Sequence, residues 1–298
     1  MWWRVGRRTL TRSTRDRITT NAASLAFHWV LALFPAVVAA VAVLGIVGLS
    51  AAQQRDVVRD VGVLLPAQAS QAVDAALRNP ITGARGGLAV ALAVVVALWS
   101  GVESMAALQV GLDVAYEISA DRGFVRRRLM AVPLLVLTAV LGGAASGLLV
   151  LGDPIRALLP SSVGLARPTF DAAWAAMRWA GALALVMLLL AVYYTVGPNR
   201  DRSRLRVASP GAVVAALGWL AASAAFSFYL DHFGHQSRSY GTFAGVAALL
   251  LWLFLTAMAV LLGAELDVEL DRDRRRTGTV EPARPPAHAD LRVSDNGP

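Results

Sequence analysis

Six long apolar runs, separated by polar connections, dominate the pattern of the chain. They cover about 22–49, 86–108, 129–151, 172–196, 207–230 and 242–264. A helix needs roughly 20 apolar residues to cross the hydrocarbon core of a bilayer, and each run reaches that length. The runs are continuous and lack period-two alternation, so they predict helices rather than barrel strands. The expected fold is an all-α integral membrane protein with six transmembrane helices. The expected organisation is an Arg-rich cytoplasmic arm over 1–20, a membrane domain over 21–270 and a disordered cytoplasmic tail over 271–298.

The connections add detail. The longest, 50–85, contains RDVVRDVGVLLP, with Val57, Val58, Val61, Leu64 and Leu65 at helical spacing and Pro66 as a stop. A second short helix over 68–77 is expected, and together the two make a helical outer loop. The tail after Arg276 is proline-rich and aperiodic, which predicts disorder.

Composition agrees with a membrane location. Hydrophobic residues make up 56% of the chain and charged residues only 16%, with mean hydropathy +0.56. Cysteine is absent, which excludes disulfides, thiolate metal sites and cysteine nucleophiles. All 28 basic residues are arginine, the net charge is +8 and the pI is near 11.0.

The placement of the arginines explains that charge. The N-terminal arm, the connections after spans two and four, and the tail together hold 20 arginines, against seven in the other connections. Arginine accumulates on the cytoplasmic side of membrane proteins. An even number of spans therefore puts both termini in the cytoplasm, in a bacterial inner membrane. Arg178, near the outer end of span four, is placed to snorkel. The expected partners are membrane lipids, through anionic headgroups at the cytoplasmic face. The same connections carry few aromatics, so no nucleic-acid surface is expected. Arg7 and Arg8 resemble a twin-arginine export signal, but the apolar run that follows is too long for one and five more spans come after it.

Polar residues inside the runs are the candidate site. In NAASLAFHWVLALFPAVVAA, Pro35 removes a helix hydrogen bond and predicts a helix break or kink, with His28 one to two turns before it. Two readings of His28 stand, a hydrogen-bonded packing histidine and a group lining a polar pathway. Glu103 lies inside span two, where an ionisable group is expensive and marks function by default. It is either a pathway or proton-coupling group, or a structural link between helices. Glu103, Ala106, Val110 and Asp113 share one helical stripe. Gly143 with Gly147, and Gly241 with Gly245, form two GxxxG pairs, read as helix packing within the chain. The turn DHFGHQSRSYG places Asp231, His232 and His235 close in sequence, but their spacing fits no zinc pattern and no metal or cofactor is expected. No phosphate-binding loop, nucleophile elbow or HExxH helix occurs.

The last run ends in GAELDVELDRDRRR. Glu265 sits in its last turn, at the cytoplasmic mouth of span six. Glu265 and Glu269 share one face, and Asp267 and Asp271 another. A carboxylate is poorly placed at a helix C-terminus. The expectation is a helix running on to about Arg276, with Glu265, like His28, Glu103 and Asp113, either part of a polar pathway, here as a gate, or in a buried ion pair, here with an arginine such as Arg126 or Arg206.

Several stretches together carry a resemblance. YGTFAGVAALLLWLFLTAMAVLLGAELDVEL resembles the closing signature of the YihY/BrkB family of six-span bacterial inner-membrane proteins. AFHWVLALFP, LWSGVESMAALQVGLDVAYE and the Pro-Gly opening of PGAVVAALGWLAASAAFSFYL resemble its first, second and fifth spans. The family usually has aromatic residues at the positions of Phe27 and His28, and commonly an asparagine near Asp113. The resemblance implies an inner-membrane protein, linked in parts of the family to virulence or serum resistance. It also brings a historical ribonuclease label, which the scattered acids of this chain argue against. The expected function is a transporter or lipid-handling envelope protein, taking an ion or a lipid. The alternative is a non-transporting assembly or interaction protein, and no enzyme activity is expected.

Overall fold

The computed structural model describes residues 17–46, 84–120, 122–150, 167–199, 208–233 and 241–276. These form six helices: α1 (Ile18–Ile46), α2 (Ala84–Ala115), α3 (Phe124–Val150), α4 (Arg167–Val196), α5 (Pro210–Phe233) and α6 (Gly241–Arg276). No strand occurs among the described residues. The first arm, the outer loop 50–83 and the tail beyond 276 lie outside them, as do the side chains of Asp231, His232 and His235. Five helices, α2 to α6, contain segments long and apolar enough to cross a membrane. α1 carries a shorter apolar stretch over Ile18–Leu33 and continues helical to Ile46, 29 residues in all, or about 43 Å at the α-helical rise. The chain is a helical membrane protein.

The helices close a ring. Each packs on its neighbours in sequence, α6 returns to α1, and α2 also touches α6 across the ring. The buried core lies at the end of the bundle where α1, α3 and α5 begin and α2, α4 and α6 finish. Leu25, Leu108, Leu112, Leu134, Tyr193, Tyr194, Ala215 and Leu261 meet there. This is the arginine-rich end of the sequence. Away from it, large apolar side chains such as Leu92, Val96, Val140, Met177 and Leu251 face outward. In water that surface would be an aggregation liability, and acyl chains cover it without cost.

α5 and α6 approach closest where both carry glycine. A methyl group on Gly211 would strike the carbonyl oxygen of Gly263 and the Asp267 carboxylate. A methyl group on Gly263 would strike the carbonyl oxygen of Gly211 and the Tyr194 hydroxyl. A methyl group on Gly218 would lie only 2.8 Å from the methyl of Ala259. The start of α5 is capped from two sides. Ser209 Oγ accepts the Ala212 N–H at 3.0 Å, and Pro210 stands at the first helical position, where its missing N–H costs nothing. Asp267 of α6 accepts the Gly211 N–H at 2.8 Å, which sets a carboxylate on the positive end of the α5 dipole.

Two expectations are corrected here. Pro35 does not break α1: the helix runs through it, because one lost hydrogen bond leaves the flanking ones in place. Among the described residues, no helix packs against Gly143 and Gly147. Methyl groups added there meet nothing within 4 Å among the described residues, since this face of α3 points outward. The spacing suits a close approach, but no described residue makes one. The surroundings of Gly241 and Gly245, in the first turns of α6, lie outside the described residues.

Replacing Gly263 or Gly211 by Ala is therefore expected to cost about 1–3 kcal/mol, through overpacking against backbone. Ala at Gly143 or Gly147 is expected to be neutral or to stabilise by up to about 1 kcal/mol, from helix propensity. Thermal unfolding in detergent, followed by tryptophan fluorescence, separates the two pairs.

Candidate functional site

A cleft of about 330 Å³ opens beside α2, between α1 and α3. One wall is α1, whose Asn21, Ser24 and His28 recur at helical spacing and so share a face. The floor is α2, from Glu103 through Ala106, Ala107 and Val110 to Gly111. The other wall is the first turn of α3, with Phe124, Arg127 and Arg128.

Glu103 does not stand alone there. Arg128 Nε donates to its Oε1 at 2.7 Å, and Nη2 donates to its Oε2 at 2.8 Å. This is the two-point fork that makes arginine–carboxylate pairs strong and directional. The guanidinium lies 3.4 Å over the ring of Phe124, one turn earlier on α3, and 5.9 Å from the Trp99 ring. The pair is reached from outside: the two side chains keep 23% and 27% of their surface exposed. Glu103 is therefore a link between α2 and α3 that also borders a cleft.

His28 lies on the opposite wall. Its Nδ1 is 2.7 Å from the carbonyl oxygen of Ser24. A carbonyl only accepts, so Nδ1 carries a proton and Nε2 is the ring's acceptor when the ring is neutral. Its ring meets Phe27 edge-on. Ser104 ties the two helices together, its hydroxyl lying 3.0 Å from the carbonyl oxygen of His28 and 2.9 Å from that of Ser100.

The structure brings His28 and Glu103 to one cleft, but not Asp113 or Glu265. Asp113 shares the sequence stripe of Glu103, yet it is buried at the arginine-rich end. There its Oδ1 accepts the N–H of Asn199 at 2.7 Å, in the connection after α4. Arg122 joins the same knot. It donates to Gln109 Oε1 at 2.9 Å, Asn199 Oδ1 at 3.1 Å, Gly197 O at 2.8 Å and Pro198 O at 2.6 Å. A cation thus sits on the carbonyls left without helical partners at the C-terminus of α4, where the dipole favours it. Burial pulls the Arg122 pKa down from its usual value; Asp113 pulls it back up, and Arg126 and Arg127 push it down. Gln109 is fully buried, accepting from Arg122 and donating to the Arg127 carbonyl at 3.3 Å.

The sequence reading named neither Gln109 nor Asn199, and counted Arg122 and Arg128 only as topology arginines. The available signal was a second polar residue one turn before Asp113, together with the Gly-Pro-Asn that ends span four.

The acids after span six also find places. Glu265 and Glu269 are both buried, on the shared face that the spacing predicted. Arg206 lies outside the described residues, and Arg126 is exposed. α6 does run on to Arg276. Arg272 meets Glu269 at 3.3 Å and forms a close ion pair with Glu117. Glu117 closes α2 in a left-handed conformation, φ 54°, with Ile118 N–H bonded to Asp113 O at 2.8 Å and Glu117 N–H to Val114 O at 2.9 Å. Among the described residues no three histidines or acids gather as a metal site.

Arg122→Lys keeps the charge but loses the rigid donor fork. It is expected to lower stability by about 1–3 kcal/mol, the usual range for hydrogen bonds to a charged group. Asp113→Asn keeps an acceptor for the Asn199 N–H and is expected to cost less than Asp113→Ala. Unfolding midpoints of the three variants in one detergent give the order.

Comparison with known proteins places this architecture. A family model described as virulence factor BrkB matches residues 9–288. The chain is 30% identical over 264 residues to the ribonuclease-like protein YfkH of Bacillus subtilis (strain 168), covering 89% of this chain and 94% of that protein. A UPF0761 membrane protein of Nitrosospira multiformis is 36% identical over 100 residues, 34% of this chain and 23% of that one. Another, of Chromohalobacter salexigens, is 45% identical over 82 residues, 28% of this chain and 20% of that one. No solved structure matches. With a match over nearly its whole length and a ring of membrane-length helices, the chain belongs to the virulence factor BrkB family of membrane proteins.

Proposed function

We propose that the protein is a lipid-handling protein of the bacterial inner membrane, with both termini cytoplasmic, and that its cleft receives a lipid headgroup sideways from the inner leaflet. The cleft itself carries the reading. It sets the polar groups of Asn21, Ser24, His28, Glu103, Arg127 and Arg128 into an otherwise apolar lining, and exposed apolar side chains stand beside it, Phe27 and Leu31 on α1 and Phe124 and Leu129 on α3. It lies between helices rather than within the ring, so it opens toward lipid. One of its walls is the first turn of α3, next to the arginine-rich connections, which suits a headgroup. The bias of 20 arginines against seven supports a cytoplasmic side for that end.

The reading is non-enzymatic. The cleft offers one carboxylate, Glu103, and Arg128 already holds both of its oxygens. Metal-assisted hydrolysis of RNA needs clustered acids around two ions, which this donor set does not supply.

Purified protein reconstituted in liposomes should move fluorescent lipid between leaflets faster than protein-free controls, without a matching ion flux. Val110→Trp puts a large ring on the floor of the cleft and is expected to slow lipid movement severalfold. Ion flux that survives without lipid movement would instead make the protein an ion transporter.

A further inference from the structure

Resting on the lipid reading above, we infer that the cleft selects an anionic phospholipid headgroup, and that Glu103 is a tethered competitor that holds the Arg128 fork until a headgroup phosphate takes it.

The geometry of the pair is the first argument. Arg128 offers Nε and Nη2 side by side to two carboxylate oxygens, at 2.7 and 2.8 Å. Two oxygens of a phosphate match the same fork. The guanidinium does not need to turn for the exchange. Its plane is already fixed by the Phe124 ring, 3.4 Å away, and that contact is independent of which anion the fork holds.

Accessibility is the second. A fully buried pair resists exchange, because opening it bares a charge in a poor solvent. A fully exposed pair holds its arginine too loosely to present it. This pair lies between those limits, at 23% and 27% exposure, on the wall of an open cleft. Replacing one anion by another leaves the guanidinium partnered throughout, which avoids the cost of a bare charge.

Charge is the third. Among the described residues that line the cleft, two arginines, Arg127 and Arg128, stand against one carboxylate, Glu103. The resulting excess of positive charge favours a headgroup with net negative charge over a zwitterion. The lipid source has its own support. From Arg128 an exposed apolar stripe, Leu129, Val132 and Val136, continues along α3 toward the membrane interior. A bound phosphate ester would lay its acyl chains along that stripe, whereas free phosphate has no use for it.

The test uses full-length protein in nanodiscs of phosphatidylcholine carrying a minor fraction of phosphatidylglycerol, with bound lipid read by native mass spectrometry. Wild type should retain phosphatidylglycerol in preference to phosphatidylcholine. Glu103→Gln should bind phosphatidylglycerol roughly two- to fivefold tighter, the scale of a partly exposed ion pair that no longer competes. Arg128→Gln should lose the preference, with phosphatidylglycerol binding falling to the level of phosphatidylcholine. Should Glu103→Gln not fold, Glu103→Asp, too short to hold both points of the fork, gives the same direction. Unchanged or weaker phosphatidylglycerol binding in the folded glutamate variant, with the wild-type preference intact, overturns the competitor role and leaves the lipid reading standing. No preference in wild type, with lipid movement indifferent to Val110→Trp, removes both. Inorganic phosphate should displace bound phosphatidylglycerol only weakly; displacement at concentrations matching the lipid would make the ligand a soluble phosphate and overturn the proposal.

Discussion

The arrangement at one end of the bundle depends on a single guanidinium. Arg122 lies in the connection between α2 and α3 and fastens it to the end of α4, through the carbonyls of Gly197 and Pro198. Helix ends leave backbone groups without helical partners, and near the edge of a bilayer such groups are costly to leave bare. Arg122 satisfies them and is itself held by Gln109 and Asn199. Gly123 follows with φ 71°, a left-handed turn that suits glycine, and α3 begins at Phe124. The cationic wall of the cleft is therefore set within a few residues of the anchor. Phe124, Arg127 and Arg128 stand where they do because Arg122 fixes the start of their helix.

This ordering links stability to function without any long-range pathway. Gln109 joins the anchor to the Arg127 carbonyl, and Asp113 joins it to Asn199, so α2, α3 and α4 share one polar knot. α6 is attached to the same end of α2 by Arg272 on Glu117. The tightly packed half of the bundle and its polar end layer coincide, while the opposite half turns apolar surface outward. A protein built this way keeps one tightly packed end and meets acyl chains with the rest.

The six apolar runs were legible because membrane length and continuity are properties of a segment taken alone. The continuation of α6 to Arg276 was legible for a similar reason, since the paired acids one turn apart fit a helix and little else. What failed was anything that needed a partner. Gly143 and Gly147 have the right spacing but face outward, whereas Gly211 and Gly263, far apart in the chain, bring two helices into backbone contact. A spacing rule sees one helix and packing needs two. Those two glycines sit in the Pro-Gly and Gly-Ala-Glu-Leu stretches that carried the family resemblance, so part of that signature is the imprint of one helix crossing. Arginine counting failed in a related way. It assigns Arg122 and Arg128 to a side of the membrane as a matter of charge, but a sum over flanks does not distinguish an arginine facing headgroups from one with a fixed partner.

Glu103 shows how much that distinction changes. Read from sequence, a carboxylate within an apolar span suggests a proton or ion pathway, because an unpaired charge there is too costly to keep otherwise. The fork from Arg128 supplies the missing reason, since a paired carboxylate needs no transported ion to account for it. Pairing alone would make Glu103 merely structural. Its place on the floor of an open cleft, with the arginine's plane held by a separate aromatic contact, gives it a second property: the arginine stays presented whether or not the carboxylate is on it. A structural link whose cationic half is independently held is also a site for any anion that reaches it. That follows from the geometry of three side chains, Glu103, Arg128 and Phe124, and from no feature that a hydropathy profile contains.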